Sequence, residues 1–259
     1  ERTVVECPLK LIDNQYQFDF DTYEEQLTGS ERMIILSSPH NPGGRVWTET
    51  ELKEVARFAI KNDLILVSDE IHHDLVYPQN KHTVMPIAEP AICDRLVMMT
   101  ATTKTFNIAG AHSGNVIISN PDLHQKFSKR IAALGISPNS FGLFMATAAY
   151  SSEGAEWLER LIKYIDENRI IFDEAINVIP GLKSMPLEGT YLAWVDFSGT
   201  GMEEKEFIKR VQEKANIAVN HGSTFGTGGE NFLRFNLATP RKLVVEATKR
   251  LEQAFSDLQ

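Results

Sequence analysis

The chain has 259 residues, of which 42% are hydrophobic and 24% are charged, an ordinary globular composition for one large domain or two unequal ones. Its net charge of −9 and pI near 5.3 argue against a nucleic-acid-binding surface, which needs clustered Lys and Arg. No apolar run approaches the length of a membrane span, and no signal peptide is visible. The two cysteines, Cys7 and Cys93, form no Cys-x-x-Cys pair, which favours a cytoplasmic over a secreted protein.

Short apolar runs alternate with longer amphipathic stretches through the first half of the chain. The runs predicted as strands are residues 33–36, 64–67, 96–99 and 115–118. They are almost continuously apolar, as is typical of a parallel sheet that is covered on both faces. This alternation predicts an α/β fold with a mainly parallel sheet, in which ligands bind outside the carboxyl ends of the strands.

Two of the intervening stretches have clear helix starts. Thr48 and Glu51 are placed to form a capping box, and Asn120 followed by Pro121 is a favourable N-terminus. Apolar residues at helical spacing are then expected to be buried on one face of each helix. These residues are Leu52, Val55, Ala56 and Ala59 in the first helix and Leu123, Phe127, Ile131 and Leu134 in the second.

The second half of the chain no longer shows the regular alternation of apolar runs and amphipathic stretches. Its predicted elements are a long helix over about residues 153–178, strands over residues 190–196 and 231–236, and a final helix capped by Thr239 and Pro240. Pro180 and Gly181 end the long helix, whose Trp157 and Phe172 are expected to be buried. The pattern predicts a small α+β domain attached to the long helix.

Three side chains of complementary chemistry follow successive apolar runs. Asn41 and Asp69 lie where two predicted strands end, and Lys104 comes shortly after a third. An amine, a carboxylate and an amide gathered at strand ends can hold an aldehyde cofactor with a basic ring nitrogen. The amine forms a Schiff base, the carboxylate keeps the ring nitrogen protonated, and the amide holds a ring oxygen. Each residue also has a structural interpretation: a surface lysine, a capping aspartate and a turn asparagine.

Five ordered motifs lie along nearly the whole chain: residues 40–47 (HNPGGRVW), 69–75 (DEIHHDL), 104–110 (KTFNIAG), 186–192 (PLEGTYL) and 232–238 (FLRFNLA). Together they resemble the pyridoxal-phosphate (PLP) enzymes of fold type I. Within these enzymes, the chain is most similar to the class I/II aminotransferase branch that contains the MalY/PatB-type cystathionine β-lyases. The resemblance implies that residues 1–155 are the remainder of a large PLP-binding domain and that residues 156–259 are a linking helix and a small C-terminal domain.

The resemblance also implies roles for residues of the first three motifs. Lys104 matches the Schiff-base lysine, and Asp69 matches the aspartate that pairs with the pyridine nitrogen. Asn41 matches the asparagine that holds the ring hydroxyl, and His72 stands where relatives place a second hydroxyl partner. Because side chains alternate along a strand, Ile71 is expected to point the same way as Asp69, against the ring face, while Glu70 points away and is structural. For His72, a plain loop histidine is the alternative, and solvated loop positions are expected for His40, His73 and His82.

Phosphate and substrate contacts are implied in the same way. Thr103 precedes Lys104 where many relatives carry Ser, and its hydroxyl and that of Thr100 are candidate phosphate ligands. Arg234 matches the arginine that forks the substrate α-carboxylate, a planar bidentate contact suited to guanidinium. An ion pair between Arg234 and a neighbour such as Glu230 is the structural alternative. The pair Asn220-His221 departs from the commoner residues of the family and receives no role.

The function implied by the resemblance is a PLP-dependent carbon–sulfur β-lyase that acts on sulfur amino acids by β-elimination through Lys104. A general class I/II aminotransferase is the main alternative, because the two reactions share their early steps. A non-catalytic regulatory module or an inactive fragment with the same fold is the other alternative; a DNA-binding domain before residue 1 favours the regulator. The full-length protein is expected to be a homodimer. No metal site is predicted.

The resemblance places residue 1 inside the large domain, because Glu1 stands where the family has already formed its first strands. The segment expected before it supplies strands, a phosphate-binding loop and a ring-stacking aromatic residue in the family. We therefore expect residues 1–259 alone to bind PLP weakly or not at all, since each lost hydrogen bond to the phosphate costs roughly 1.5–3 kcal/mol. Equilibrium dialysis against PLP measures this, and tight stoichiometric binding contradicts it.

Overall fold

The computed structural model describes residues 2–258, which cluster into two compact units. The first unit contains residues 18–40, residues 46–160 and the N-terminal tail up to Cys7. The second unit contains residues 8–17, residues 41–45 and the chain from Leu161 onward. The boundary between residues 160 and 161 lies inside a long helix, which contributes to both units.

The strands are β1 (Lys10–Ile12), β2 (Gln15–Gln17), β3 (Met33–Ser37), β4 (Ile65–Asp69), β5 (Leu96–Thr100), β6 (Asn115–Ile117), β7 (Lys183–Ser184), β8 (Leu192–Asp196), β9 (Asn220–His221) and β10 (Phe232–Asn236). The helices are α1 (Phe20–Gln26), α2 (Glu49–Lys61), α3 (Met85–Ala88), α4 (Thr102–Thr105), α5 (Pro121–Ala133), α6 (Ser140–Ala149), α7 (Ser152–Ile176), α8 (Glu204–Lys209) and α9 (Arg241–Ala254). Short 3₁₀ turns connect several of them, and a π-helical turn follows α8.

The first unit is built on a sheet with the strand order β3-β4-β5-β6. The first three strands are parallel and lie within two residues of the predicted runs, because continuous apolar runs are a strong local signal for buried strands. Strand β6 pairs antiparallel with β5, so it departs from the predicted parallel arrangement. Residues 101–114 contain no helix long enough to return the chain to the opposite end of the sheet, as a parallel crossover requires.

Helix α2 follows its sequence prediction closely. The Thr48 hydroxyl accepts a hydrogen bond from the Glu51 backbone N–H, and the Glu51 carboxylate accepts one from the Thr48 N–H, which completes the capping box. The predicted apolar face is fully buried; its residues are Leu52, Val55, Ala56 and Ala59. The helix therefore covers one side of the first unit and leads through a short turn into β4.

Other predicted burial in the first unit is incomplete: the predicted apolar face of α5 is half-buried, while the rest of that helix is exposed. The Asn120 side chain caps α5 as expected, accepting from the Leu123 N–H at 2.9 Å. However, no residue of α5 is buried, and Leu134 just beyond it is 53% exposed, because no helix or strand among residues 2–258 packs closely along α5. Ile35 of β3 is 70% exposed, so the sheet is not covered on both faces.

Helix α6 is an element that the sequence did not predict. Its apolar residues occupy nearly every position, so it has no amphipathic period that would reveal it. Phe141 and Phe144 on α6 are 74% and 77% exposed.

The second unit contains the antiparallel sheet β7-β8-β10-β9 together with most of α7 and the whole of α9. Phe172 of α7 is buried as predicted and packs against Phe235 of β10, with ring centroids 5.3 Å apart. Trp157, on the part of α7 that belongs to the first unit, is 40% exposed rather than buried and stacks on Phe106. Helix α9 begins without a side-chain cap, because its N-cap residue is Pro240, whose side chain has no hydrogen-bond acceptor, rather than Thr239.

Candidate active site

Asp69 and Lys104 are brought together in the first unit. Asp69 is the last residue of β4, and Lys104 lies on α4 just after the neighbouring parallel strand β5, so both follow carboxyl ends at one edge of the sheet. The Asp69 carboxylate accepts a hydrogen bond from the Ile71 N–H at 3.2 Å. Burial raises the pKa of Asp69, while this hydrogen bond and the positive charge of Lys104 act in the opposite direction. A half-buried carboxylate beside an amine is thus the first part of the site.

The two residues after Asp69 do not continue the strand. Strand β4 ends at Asp69 and residues 71–74 form turns, so the alternation argument that placed Ile71 beside Asp69 does not apply. Contact of Ile71 with a ring face stays a prediction. His72 is only 3% exposed, so it is not a solvated loop histidine. Its role toward a ring hydroxyl also stays a prediction.

Glu70 forms a buried network that the sequence did not reveal. Its Oε1 accepts hydrogen bonds from the Ser68 hydroxyl at 2.9 Å and from the Met85 N–H at 3.1 Å, and its Oε2 lies 2.8 Å from His82 Nε2. The expected structural role of Glu70 is therefore supported, whereas the expectation that His82 is a solvated loop residue is wrong. The network fixes the backbone on both sides of Asp69.

A second set of contacts links the turn after Asp69 to the helix of Lys104. The Thr105 hydroxyl donates to Asp74 Oδ2 at 3.0 Å, and Asp74 Oδ1 lies 3.2 Å from His73 Nε2. His73 Nδ1 in turn lies 2.8 Å from the Glu70 carbonyl oxygen, so His73 is not a free loop residue as predicted. These contacts hold α4 against the end of β4 and so limit the positions that Lys104 can take relative to Asp69.

The two predicted phosphate ligands lie in the same unit. Thr100 is the last residue of β5, and its hydroxyl accepts a hydrogen bond from the Asn115 side chain at 3.2 Å. Thr103 precedes Lys104 on α4 and is half-buried. Both hydroxyls are near the strand ends, and their contact with a phosphate stays a prediction.

In the second unit, residues 41–45 are anchored to the motif at residues 186–192. The Gly44 carbonyl accepts hydrogen bonds from the N–H groups of Glu188 and Gly189 at 2.9 and 3.1 Å. Gly44 has φ +72°, and a Cβ there would lie 2.7 Å from Leu187 Cδ1, so any other residue would be strained and glycine is favoured. Arg45 is buried and pairs with Glu188 at 3.1 Å. The asparagine that opens this segment is thereby held in place.

Arg234 is the centre of the site in the second unit. Its Nη1 donates to Asn41 Oδ1 at 2.7 Å, its Nη2 donates to Asn220 Oδ1 at 2.9 Å, and its guanidinium lies 4.6 Å from the centroid of the Phe225 ring. Within residues 2–258 no carboxylate pairs with it, and the alternative partner Glu230 accepts from the Gly228 N–H instead. Burial lowers the pKa of Arg234.

A half-buried cation whose hydrogen-bond partners are neutral amides is an arrangement that favours an anionic ligand. The buried Nε of Arg234 has no hydrogen-bond partner among residues 2–258, so it remains available as a donor. The structure therefore excludes the purely structural interpretation of Arg234 as half of an ion pair with Glu230.

Comparison with known proteins identifies the family. Residues 1–251 match the sequence profile of the class I and II aminotransferases. The chain belongs to this family. It is 33% identical over 258 residues to cystathionine β-lyase PatB of Bacillus subtilis, and this match covers 98% of the chain and 66% of PatB. The chain thus spans just under two thirds of the length of this relative.

Solved structures of the family agree with this assignment. Cystalysin from Treponema denticola, whose crystal structure contains pyridoxal 5′-phosphate, is 38% identical with a TM-score of 0.94, and the match covers 100% of this chain and 66% of cystalysin. An aromatic aminotransferase from Pyrococcus horikoshii is 25% identical with a TM-score of 0.88, covering 98% of this chain and 67% of that enzyme. This member of the class I and II aminotransferase family therefore has the α/β fold of type I PLP-dependent enzymes, as the motifs predicted.

This aminotransferase-family chain shows neither a cluster of metal ligands nor a membrane-spanning helix in its described part. Residues 2–258 contain no group of three or more His, Cys, Asp or Glu side chains that could hold a metal ion. Nor does any helix in the described part of the chain have the length and apolar character needed to cross a bilayer.

Proposed function

We propose that the full-length protein is a PLP-dependent carbon–sulfur β-lyase that acts on sulfur amino acids. The observation that carries this proposal is Arg234, a half-buried cation held by neutral amides and free to bind a substrate α-carboxylate. The lyase assignment is supported by the similarity to cystathionine β-lyase PatB. The cofactor assignment is supported by the similarity to cystalysin, whose structure contains pyridoxal 5′-phosphate.

The residues of the first unit fit PLP. The half-buried carboxylate of Asp69 has a raised pKa because burial disfavours its charge, and a protonated ring nitrogen would supply a counter-charge in direct contact with it. Lys104 provides the amine that the cofactor aldehyde requires, and Thr100 and Thr103 provide hydroxyl donors for its phosphate. His72 is the proposed partner of the ring hydroxyl in this unit, and the role of Asn41, which lies in the second unit, stays a prediction. When bound, PLP supplies a conjugated ring that takes up electrons released at the substrate α-carbon.

The side chains then divide the chemistry among them. Arg234 binds the α-carboxylate and so orients the amino acid. The Lys104 amine, in its unprotonated form, accepts the proton from the α-carbon and later returns it to the thiolate that leaves. The electron pair left behind forms the Cα–Cβ double bond as the Cβ–S bond breaks and the sulfur departs as a thiolate. Hydrolysis of the remaining fragment gives pyruvate and ammonia.

The lyase is distinguished from an aminotransferase by its products. L-cystathionine is incubated with the PLP-loaded full-length protein in the absence of any keto acid. Pyruvate and a thiol formed in equal amounts support the lyase. Amino-group transfer that depends on added 2-oxoglutarate, without thiol release, supports the aminotransferase instead. The similarity to an aromatic aminotransferase is the reason to test for this activity. No reaction of either kind supports a non-catalytic role.

Replacement of the substrate-binding arginine tests its role. Arg234→Lys is expected to raise the KM for amino acids by about 10- to 100-fold, because Lys cannot form the bidentate fork and a hydrogen bond between charged groups contributes roughly 1.5–3 kcal/mol. Steady-state kinetics measure this. Amines that lack the carboxylate serve as the matched control and should be almost unaffected. Equal losses for both kinds of substrate would indicate a structural role.

We also propose that the full-length protein is a cytosolic homodimer. Both thiols, Cys7 and Cys93, are free in the structure, in keeping with a reducing compartment. The exposed phenylalanines of α6, Phe141 and Phe144, form an apolar face of the kind that a second subunit covers.

A further inference from the structure

Asn220 stands directly opposite Arg234 in the antiparallel pairing of β9 with β10. Residues opposite each other in such a pair project from the same face of the sheet, so their side chains can interact. A guanidinium group has only N–H donors, and the Asn220 side chain presents its carbonyl oxygen to Arg234 Nη2 at 2.9 Å. This contact was not predictable from the sequence, because it joins two residues that are 14 positions apart.

Two further groups restrict the guanidinium. Asn41 accepts from Nη1 on one side, and the Phe225 ring lies against the guanidinium, with its centroid 4.6 Å from the guanidinium carbon. Phe225 is itself packed edge-on against Trp194, with ring centroids 5.6 Å apart. The plane of the guanidinium is therefore set by two amides and an aromatic ring, none of which carries a charge.

The neutrality of Asn220 has a chemical consequence. An aspartate at this position would keep an acceptor oxygen at nearly the same place but would neutralise Arg234 with an ion pair. A substrate carboxylate would then have to compete with that pair. With Asn, two of the five N–H groups of Arg234 are engaged by neutral oxygens, and the full positive charge remains for the ligand.

We propose that Asn220 is a positioning residue that orients the Arg234 guanidinium while leaving its positive charge uncompensated. Asn220 thereby determines the preference of the site for ligands with an α-carboxylate. This inference rests on the proposed function, since it requires Arg234 to bind the substrate carboxylate. Asn220 does not touch the reacting atoms and acts through Arg234 alone.

The test measures ligand binding in the PLP-loaded full-length protein through the absorbance of the bound cofactor. The ligand is 2-methylalanine, an amino acid without an α-hydrogen, which therefore cannot react by α-proton removal. Isopropylamine is the same molecule without the carboxylate. The variants are Asn220→Ala, which removes the acceptor, and Asn220→Asp, which preserves the shape of the side chain. His221→Ala, on the same edge strand, is the matched control because its ring contacts Gln212 rather than Arg234.

Asn220→Ala is expected to weaken 2-methylalanine binding about tenfold, the effect of one hydrogen bond to a charged group. Asn220→Asp is expected to weaken it further, by about 100-fold, because the substrate must displace an ion pair. Isopropylamine binding should change by less than about twofold in every variant, and His221→Ala should behave like the unsubstituted protein. A purely structural role for Asn220 would not separate the two ligands.

Two results would overturn this inference without overturning the proposed function. The first is unchanged 2-methylalanine binding in both Asn220 variants. The second is an equal loss of affinity for both ligands in the isosteric Asn220→Asp variant when its circular dichroism spectrum shows that it is folded. Failure of the proposed function looks different. In that case the unsubstituted protein binds no cofactor, or its bound cofactor responds to neither ligand, and the inference is overturned with it.

Discussion

Lys104→Ala in the full-length protein is expected to abolish amino-acid turnover, lowering kcat by on the order of 10³-fold or more. The amine has two proposed tasks, to bond the cofactor aldehyde and to carry the α-proton, and the loss of a general base alone costs typically 10²–10⁴-fold. The yellow absorption of the covalently bound cofactor should also disappear. The position of Lys104 beside the carboxylate of Asp69 is the structural basis for this expectation.

Borohydride trapping directly tests the assignment of Lys104 as the lysine that bonds the cofactor. Reduction fixes the cofactor to the lysine that carries it, and peptide mapping should locate it on Lys104 in the unsubstituted protein and nowhere in the variant. Lys126→Ala is a suitable control, because Lys126 is exposed on α5 and its replacement should leave labelling unchanged. A Lys104→Ala protein that still traps the cofactor on another lysine would show that the assignment is wrong.

Asp69→Asn is expected to slow removal of the substrate α-proton by about 10- to 100-fold while changing PLP affinity much less. Asparagine has almost the same shape but no charge, so it cannot keep the ring nitrogen protonated; a hydrogen bond to a charged group contributes roughly 1.5–3 kcal/mol. The rate of α-proton removal is the quantity that should fall, because the protonated ring accepts the electrons released at the α-carbon.

The exchange of the α-hydrogen for deuterium in heavy water, followed by NMR, measures that step without requiring turnover. Glu70→Gln is the matched control. Glu70 is the adjacent carboxylate, but it is buried in hydrogen bonds with Ser68, Met85 and His82, so its replacement should mainly lower the melting temperature and should slow the exchange much less than Asp69→Asn does. A near-normal rate of α-hydrogen exchange in Asp69→Asn would show that this aspartate does not have the proposed role.

Much of the fold was predictable because its signals are local. The capping box of Thr48 and Glu51 involves neighbouring residues, and the apolar runs that became β3, β4 and β5 are continuous in the chain. A strand end is also a local feature, so the positions of Asp69 and Lys104 after β4 and β5 followed directly from these runs.

Predictions of burial and strand direction, which depend on neighbouring elements, were less successful. Helix α5 has an amphipathic sequence and a correct N-cap, yet none of its residues is buried, because burial depends on neighbours that the helix sequence does not specify. The direction of β6 likewise depends on the path of the chain between it and β5 rather than on its own residues.

The sequence by itself determined the α/β order of elements, the family motifs and the candidate residues Lys104, Asp69 and Arg234. Only the tertiary structure decided that Arg234 is held by the neutral amides of Asn41, 193 residues away, and Asn220, and not by Glu230. It alone also revealed the contact of Thr105 with Asp74 across 31 residues. The physical reason is that an electrostatic environment is set by the groups that the fold brings within a few ångströms, and separation along the chain does not encode which groups those are.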